Sequence, residues 1–211
     1  MDGNLMHVSP LASLSFPPRK RGRRWKVGLF VDASNIFLSV RQSSDRQFRI
    51  DYEALLKFAQ SRGQVKVAKI YTAYDSEQNK EIPFFLAMRH LGYQIVREPL
   101  VKSYAGENHG NLDTVIAYDL SKEAPYLDVI ILVSGDGDFA PLVRRLSYSG
   151  KWVIVIGVEG CTNANLIIDS NEFVPASAVP GFIKKEEHSD QVAPSNFDKM
   201  AAIHSSANNG R

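Results

Sequence analysis

Residues 129–157 read VIILVSGDGDFAPLVRRLSYSGKWVIVIG, and this stretch decides the fold class. Val129–Val133 is a short, unbroken apolar run, the pattern of a strand buried on both faces. Phe139–Tyr148 then follows helical spacing with Gly150 just beyond it, and Trp152–Ile156 is a second apolar run. Strand, helix and strand in this order imply a right-handed crossover between parallel strands.

The same alternation extends outward in both directions. Val27–Val31 (VGLFV) is another continuous apolar run. Asp51 is placed to cap a helix over DYEALLKFAQSRG that Gly63 stops, and Val65–Tyr74 has the branched and aromatic bias of a strand. A helix is expected over 78–91, a strand over 93–96, a helix over 112–124, a short helix over 163–169 and a last strand near Phe173. Tyr71, Tyr74, Phe84 and Phe85 are expected in the core. The predicted class is α/β, a three-layer α/β/α sandwich with a mostly parallel central sheet of Rossmann-like type.

Composition narrows the class further. The chain has 211 residues, 44% hydrophobic and 23% charged, which suits one globular domain with tails and excludes collagen-like and fully disordered chains. Its one cysteine, Cys161, can form no intramolecular disulfide, and a reducing, cytoplasmic setting is expected. No apolar run reaches the roughly 18 residues of a membrane span, so no membrane association is expected. The net charge of +2 conceals a division: residues 1–26 carry +5, residues 27–180 carry −3, and the last 31 balance. The expected organisation is a basic N-terminal arm over 1–25, a domain over 26–180 and a polar, disordered tail over 181–211.

In open parallel sheets, ligands bind at the carboxyl ends of the strands. Two predicted strands end there in acids: Val31-Asp32-Ala33-Ser34-Asn35, and Val133-Ser134-Gly135-Asp136-Gly137-Asp138. Asp and Gly are also ordinary turn and cap residues, but two such ends with an Asp-Gly-Asp in one favour a site. At 100° per residue Leu112, Val115, Ile116 and Leu120 form one apolar stripe, with Asp119 inside it and Asp113 at its border. Asp119 has the alternative of a hydrogen-bonded structural carboxylate, and Asp113 that of a charge favoured near a helix N-terminus. Carboxylates gathered at one edge repel one another, and a hard divalent cation such as Mg²⁺ resolves that conflict.

FVDASNIFLS (30–39), NLDTVIAYDL (111–120) and the 129–157 stretch resemble the signature blocks of the NYN domain, LabA-like branch, within the PIN-like nuclease superfamily. The resemblance spans roughly residues 26–176 and implies a PIN-like sandwich that cleaves RNA with Mg²⁺ or Mn²⁺. It places Asp32, Asp113, Asp136 and Asp138 at the metal as catalytic residues. It places Asn35 and Asp119 around them, with Ser134 expected to orient a ligand or water. Lys102 and His109 lie on the approach to the helical block and are candidates for contact with substrate phosphate.

Arg19, Lys20, Arg21, Arg23 and Arg24, with Trp25 beside them, could neutralise and stack on RNA, or serve only as a solubilising tail. Arg144 is a candidate for the substrate groove. Gly135–Ala140 also fits G-x-G-x-x-A, but two carboxylates between the glycines would face a pyrophosphate directly, which argues against a dinucleotide. An aspartyl phosphatase is disfavoured because Asp32 stands alone at the first strand. The alternative from another class is a catalytically silent module that binds RNA or protein. Whether two copies form a homodimer is left open.

Overall fold

The computed structural model describes residues 23–43, 48–74, 81–99, 101–102, 108–109 and 112–185. In chain order the elements are β1 (Lys26–Asp32), α1 (Ala33–Ser43), β2 (Phe48–Ile50), α2 (Tyr52–Arg62), β3 (Gln64–Tyr74), α3 (Ile82–Leu91) and β4 (Gln94–Pro99). They continue as β5 (Val101–Lys102), β6 (Asn108–His109), α4 (Leu112–Glu123), β7 (Val129–Val133), α5 (Ala140–Tyr148), β8 (Trp152–Gly157), α6 (Ala164–Asp169), β9 (Glu172–Pro175) and β10 (Ile183–Lys185).

Six strands form the central sheet in the order β4-β3-β1-β7-β8-β9, every neighbouring pair parallel. The chain winds outward from β1 through β3 to β4, then returns to β7 on the other side of β1 and winds out to β9. The reversal lies between β1 and β7, where Val31 is opposite Val133, and such a switch point opens a crevice at the strand ends.

Side-chain alternation divides the core in two. Val27, Leu29 and Val31 of β1 pack with Ile36 and Val40 of α1, Leu55 and Ala59 of α2 and Met88 of α3. Phe30 packs on the opposite face with Ile116 and Leu120 of α4, Val143 and Leu146 of α5 and Leu166 of α6. β7 and β8 are buried along their whole length, which explains their unbroken apolar sequence. The α/β/α sandwich inferred from sequence is therefore the observed architecture. Among the described residues, no helix is long and apolar enough to cross a membrane.

Asp51 caps α2 as expected, accepting the Ala54 amide at 3.0 Å. Tyr71 is fully buried, whereas Tyr74, Phe84 and Phe85 are half-buried. One boundary needs correction. Residues 182–185, expected in the tail, are part of the packed domain, because Phe182 is completely buried and β10 pairs antiparallel with β2. Phe182 also accepts the Asp51 amide at 2.7 Å, so this short strand closes the entrance to α2.

Candidate functional site

β1 delivers Asp32 to the end of the sheet two residues after Phe30, on the side covered by α4. Asp32 is 4% exposed and its two oxygens are both engaged. Oδ1 accepts the Asn35 backbone N–H at 3.1 Å, which secures the first turn of α1, and Oδ2 accepts the Ser134 hydroxyl at 3.2 Å. Ser134 extends β7, donating its N–H to Ile156 at 3.1 Å, and its Oγ accepts the Asp136 N–H at 3.2 Å. Asp136 Oδ1 in turn accepts the Asp138 N–H at 2.9 Å, and Asn35 Oδ1 accepts the Gly135 N–H at 2.7 Å. These bonds tie the β1–α1 turn to the β7–α5 turn across the switch point.

The glycines of the Ser-Gly-Asp-Gly-Asp stretch are required by close approach. A Cβ on Gly135 would stand 2.9 Å from the Cys161 carbonyl oxygen, and one on Gly137 would stand 2.6 Å from Asn163 Cγ. The β8–α6 loop therefore presses on the turn, and the Asn163 N–H donates to Gly135 O at 3.0 Å. Sequence reasoning did not assign Asn163 to the site's border. The small residues opposite it were the available signal.

Electrostatics join the fourth acid to this group. Burial pushes the Asp32 pKa up to about 7, and the charges of Asp113 and Asp136 push the same way against the stabilising Asn35 amide and Ser134 hydroxyl. Asp113, in the first turn of α4, is also raised, first by burial and then by Asp136 and Asp138. Asp32 and Asp113 thus share the field of Asp136, although Asp138 and Asp113 are exposed and Asp32 is enclosed. Among the described residues, no Lys or Arg forms an ion pair with any of the four.

The donor set consists of carboxylate, hydroxyl and amide oxygens, hard ligands suited to Mg²⁺ or Mn²⁺. Among the described residues, no three Asp, Glu, His or Cys side chains converge as a ready-made cage.

Other candidates lie apart from this group. Asp119 accepts Lys69 Nζ at 3.0 Å and the Tyr71 hydroxyl at 2.9 Å, with Glu123 also 3.3 Å from Lys69. It fills the structural role and fastens α4 to β3. Arg144 faces Asp169 at 3.8 Å, so α6 supplies its partner. Arg23 reaches Asp128 at 3.7 Å, and the Lys26 amide donates to the same carboxylate at 2.8 Å. Asp128 immediately precedes β7, so the arm joins the domain at the sheet edge opposite the acids, about 20 Å away along β1. Arg24 is exposed. Arg19, Lys20 and Arg21, and the side chains of Lys102 and His109, lie outside the described residues.

Comparison with known proteins agrees with this fold. The chain is 25% identical over 171 residues to the low amplitude and bright protein LabA of Synechococcus elongatus, covering 77% of this chain and 89% of that protein. An uncharacterised protein of Methanocaldococcus jannaschii is 27% identical over 144 residues, covering 67% of this chain and 51% of its own. A crystal structure of a protein of unknown function from Vibrio parahaemolyticus superposes with a TM-score of 0.67 at 30% identity, covering 74% of this chain and 96% of that one. The NYN domain model matches residues 26–178, which include the whole six-stranded sheet and all four acids. The chain therefore belongs to the NYN domain family, within the PIN-like nuclease superfamily, and is similar to LabA.

Proposed function

We propose that this protein is a divalent-metal-dependent ribonuclease that hydrolyses RNA phosphodiester bonds at the β1–β7 switch point. The observation that carries the reading is that the buried Asp32 carboxylate is tied through Ser134 to the Asp136 turn and feels the charges of Asp113 and Asp136, with no cationic partner for these acids or Asp138 among the described residues. Such a group is costly unless a cation offsets it. Asp32, Asp113, Asp136 and Asp138 would hold Mg²⁺ or Mn²⁺. Bound there, the ion supplies Lewis acidity toward a phosphoryl oxygen and lowers the pKa of water.

The chain's own residues prepare the site. Ser134 and the Asn35 amide hold Asp32 in one rotamer, so its carboxylate is oriented before any ligand arrives. Asn35 Oδ1 fixes the Gly135 amide, and Asp136 steadies the turn that presents Asp138. The glycines let this turn lie against the β8–α6 loop. The basic arm would raise affinity for the polyanion from the opposite edge, without touching the reacting phosphate.

The enclosure of Asp32 supports a second reading, in which the domain binds RNA or protein and cuts nothing. Incubating total RNA with Mg²⁺ or Mn²⁺, and in parallel with EDTA, and mapping new 5′ ends separates the two. Metal-dependent ends at defined positions are expected. Identical RNA profiles in all conditions would remove the nuclease reading.

A further inference from the structure

Helix α3, IPFFLAMRHL, is apolar around most of its circumference, yet only Met88 among its residues is buried. Ile82, 46% exposed, and Leu86, 51% exposed, turn to a separate cleft with Phe85 and Ile95, while Phe84, Ala87, Met88 and Leu91 make up the opposite face of the helix. Beside it lies a groove of about 600 Å³, walled by Phe37 of α1, Phe48 and Ile50 of β2, Tyr52 of α2, and Phe84 and Leu91 of α3.

The charges on the groove are unequal in their partners. Asp51 is held by Lys184 and caps α2, and Glu53 pairs with Lys57 at 2.6 Å. Arg49 also lines the groove and forms no ion pair among the described residues, and the His90 ring beside it contacts the Leu86 carbonyl at 2.8 Å. An occupant with an apolar face and acidic flanks is therefore complementary to it.

The chain supplies such a segment at this place. β10 runs antiparallel to β2 with Lys184 opposite Arg49 and Lys185 opposite Phe48, so the last described strand ends beside a wall of the groove. The 26 residues that follow begin with Glu186, Glu187 and Asp190, and then carry Phe197, Met200, Ala201 and His204 at helical i, i+3, i+4, i+7 spacing. The 11 residues from 186 to 196 can span about 35 Å, far more than the groove requires. A tether of this length keeps the segment at an effective concentration on the order of millimolar, so a weak intrinsic affinity suffices.

We propose that Phe197–His204 of this same chain docks as an amphipathic helix in the groove between α1, β2, α2 and α3, with the acidic stretch after β10 lying along Arg49 and His90. The segment covers the face of α3 that carries Phe84, Ala87 and Leu91 from within the chain. α1 links this surface to the Asp32 group, since Asn35 binds the Gly135 amide while Phe37, two residues on, lines the groove. The inference does not depend on nuclease activity.

Hydrogen exchange on the full-length protein, wild type against Phe197→Asp/Met200→Asp, tests it. Both substitutions lie outside the described residues and leave the sheet's own sequence unchanged, so folding of the sheet is an internal control. Amides of α3 and β2 should exchange on the order of tenfold faster in the variant, with β7 and β8 unchanged. A synthetic peptide of residues 186–211 should restore their protection. Equal exchange in the two proteins would overturn the proposal. So would α3 protection that fades on dilution in step with a dimer-to-monomer change in mass, because a second copy would then be the occupant.

Discussion

Replacing Asp32 with Asn removes a buried ionisable group and preserves its shape. The amide oxygen can still accept the Asn35 N–H, and the amide nitrogen can donate to Ser134 Oγ in place of the hydroxyl bond now made to Asp32. Burial and neighbouring carboxylates carry the Asp32 pKa from 3.8 to about 7. Because the folded pKa is the higher, the folded protein binds more protons than the unfolded chain between those values, and stability falls as pH rises through that window. At roughly 1.4 kcal/mol per tenfold, the wild-type penalty is about 2 kcal/mol at pH 5 and about 4 kcal/mol at pH 8. Asn carries no such penalty. Urea unfolding in EDTA should therefore show the stability of Asp32→Asn relative to wild type growing by about 2–3 kcal/mol between pH 5 and pH 8. A difference of the same size at both pH values would refute the claim that enclosure and like charge strain this carboxylate.

Further outcomes follow from other parts of the structure. Lys69→Met leaves Asp119 and Glu123 without their cation and should cost roughly 3 kcal/mol in thermal or urea unfolding, while Lys69→Met/Asp119→Leu should recover much of that loss. Gly135→Ala drives a Cβ toward the Cys161 carbonyl and should cost about 1–3 kcal/mol in the same assay, with the added exchange confined to the β8–α6 loop. Deleting residues 1–24 removes five arm cations and should weaken RNA binding and flatten its salt dependence, by about 0.7 in slope for each phosphate of a single strand that the arm neutralises. An unchanged slope in filter binding would remove the arm from the RNA interface.

The central strands were legible because burial on both faces leaves a signature that needs no partner to interpret. VIILV and WVIVIG could be little else once Gly and Asp bounded them. Helix α1 was missed for the opposite reason. Its sequence, ASNIFLSVRQS, combines serines with branched residues and has weak helical preference, and it is held by Ile36 and Val40 against the sheet. β2 and β10 were missed because each has three residues and is defined by the other, from opposite ends of the domain. The acids at the strand ends were visible as turn residues out of proportion, and Asp113 as a border residue of its helix. Asp119 was expected around the metal acids, with a structural role as the alternative, because its true partner, Lys69, is 50 residues away on another strand. Charge arithmetic found the arm but could not give its point of departure, which Arg23 and Asp128 place at the far edge of the sheet.

The claim that these acids form a metal-dependent hydrolytic centre is tested most directly by one time course on end-labelled RNA, comparing wild type with Asp136→Asn in Mn²⁺, in Mg²⁺ and in EDTA, with RNA binding measured alongside. Wild type should cleave with metal and stop in EDTA, and Asp136→Asn should bind RNA as wild type does yet cleave on the order of a hundredfold more slowly. If both proteins bind RNA alike and neither cleaves it with either metal, the account is contradicted and the domain is a binding module.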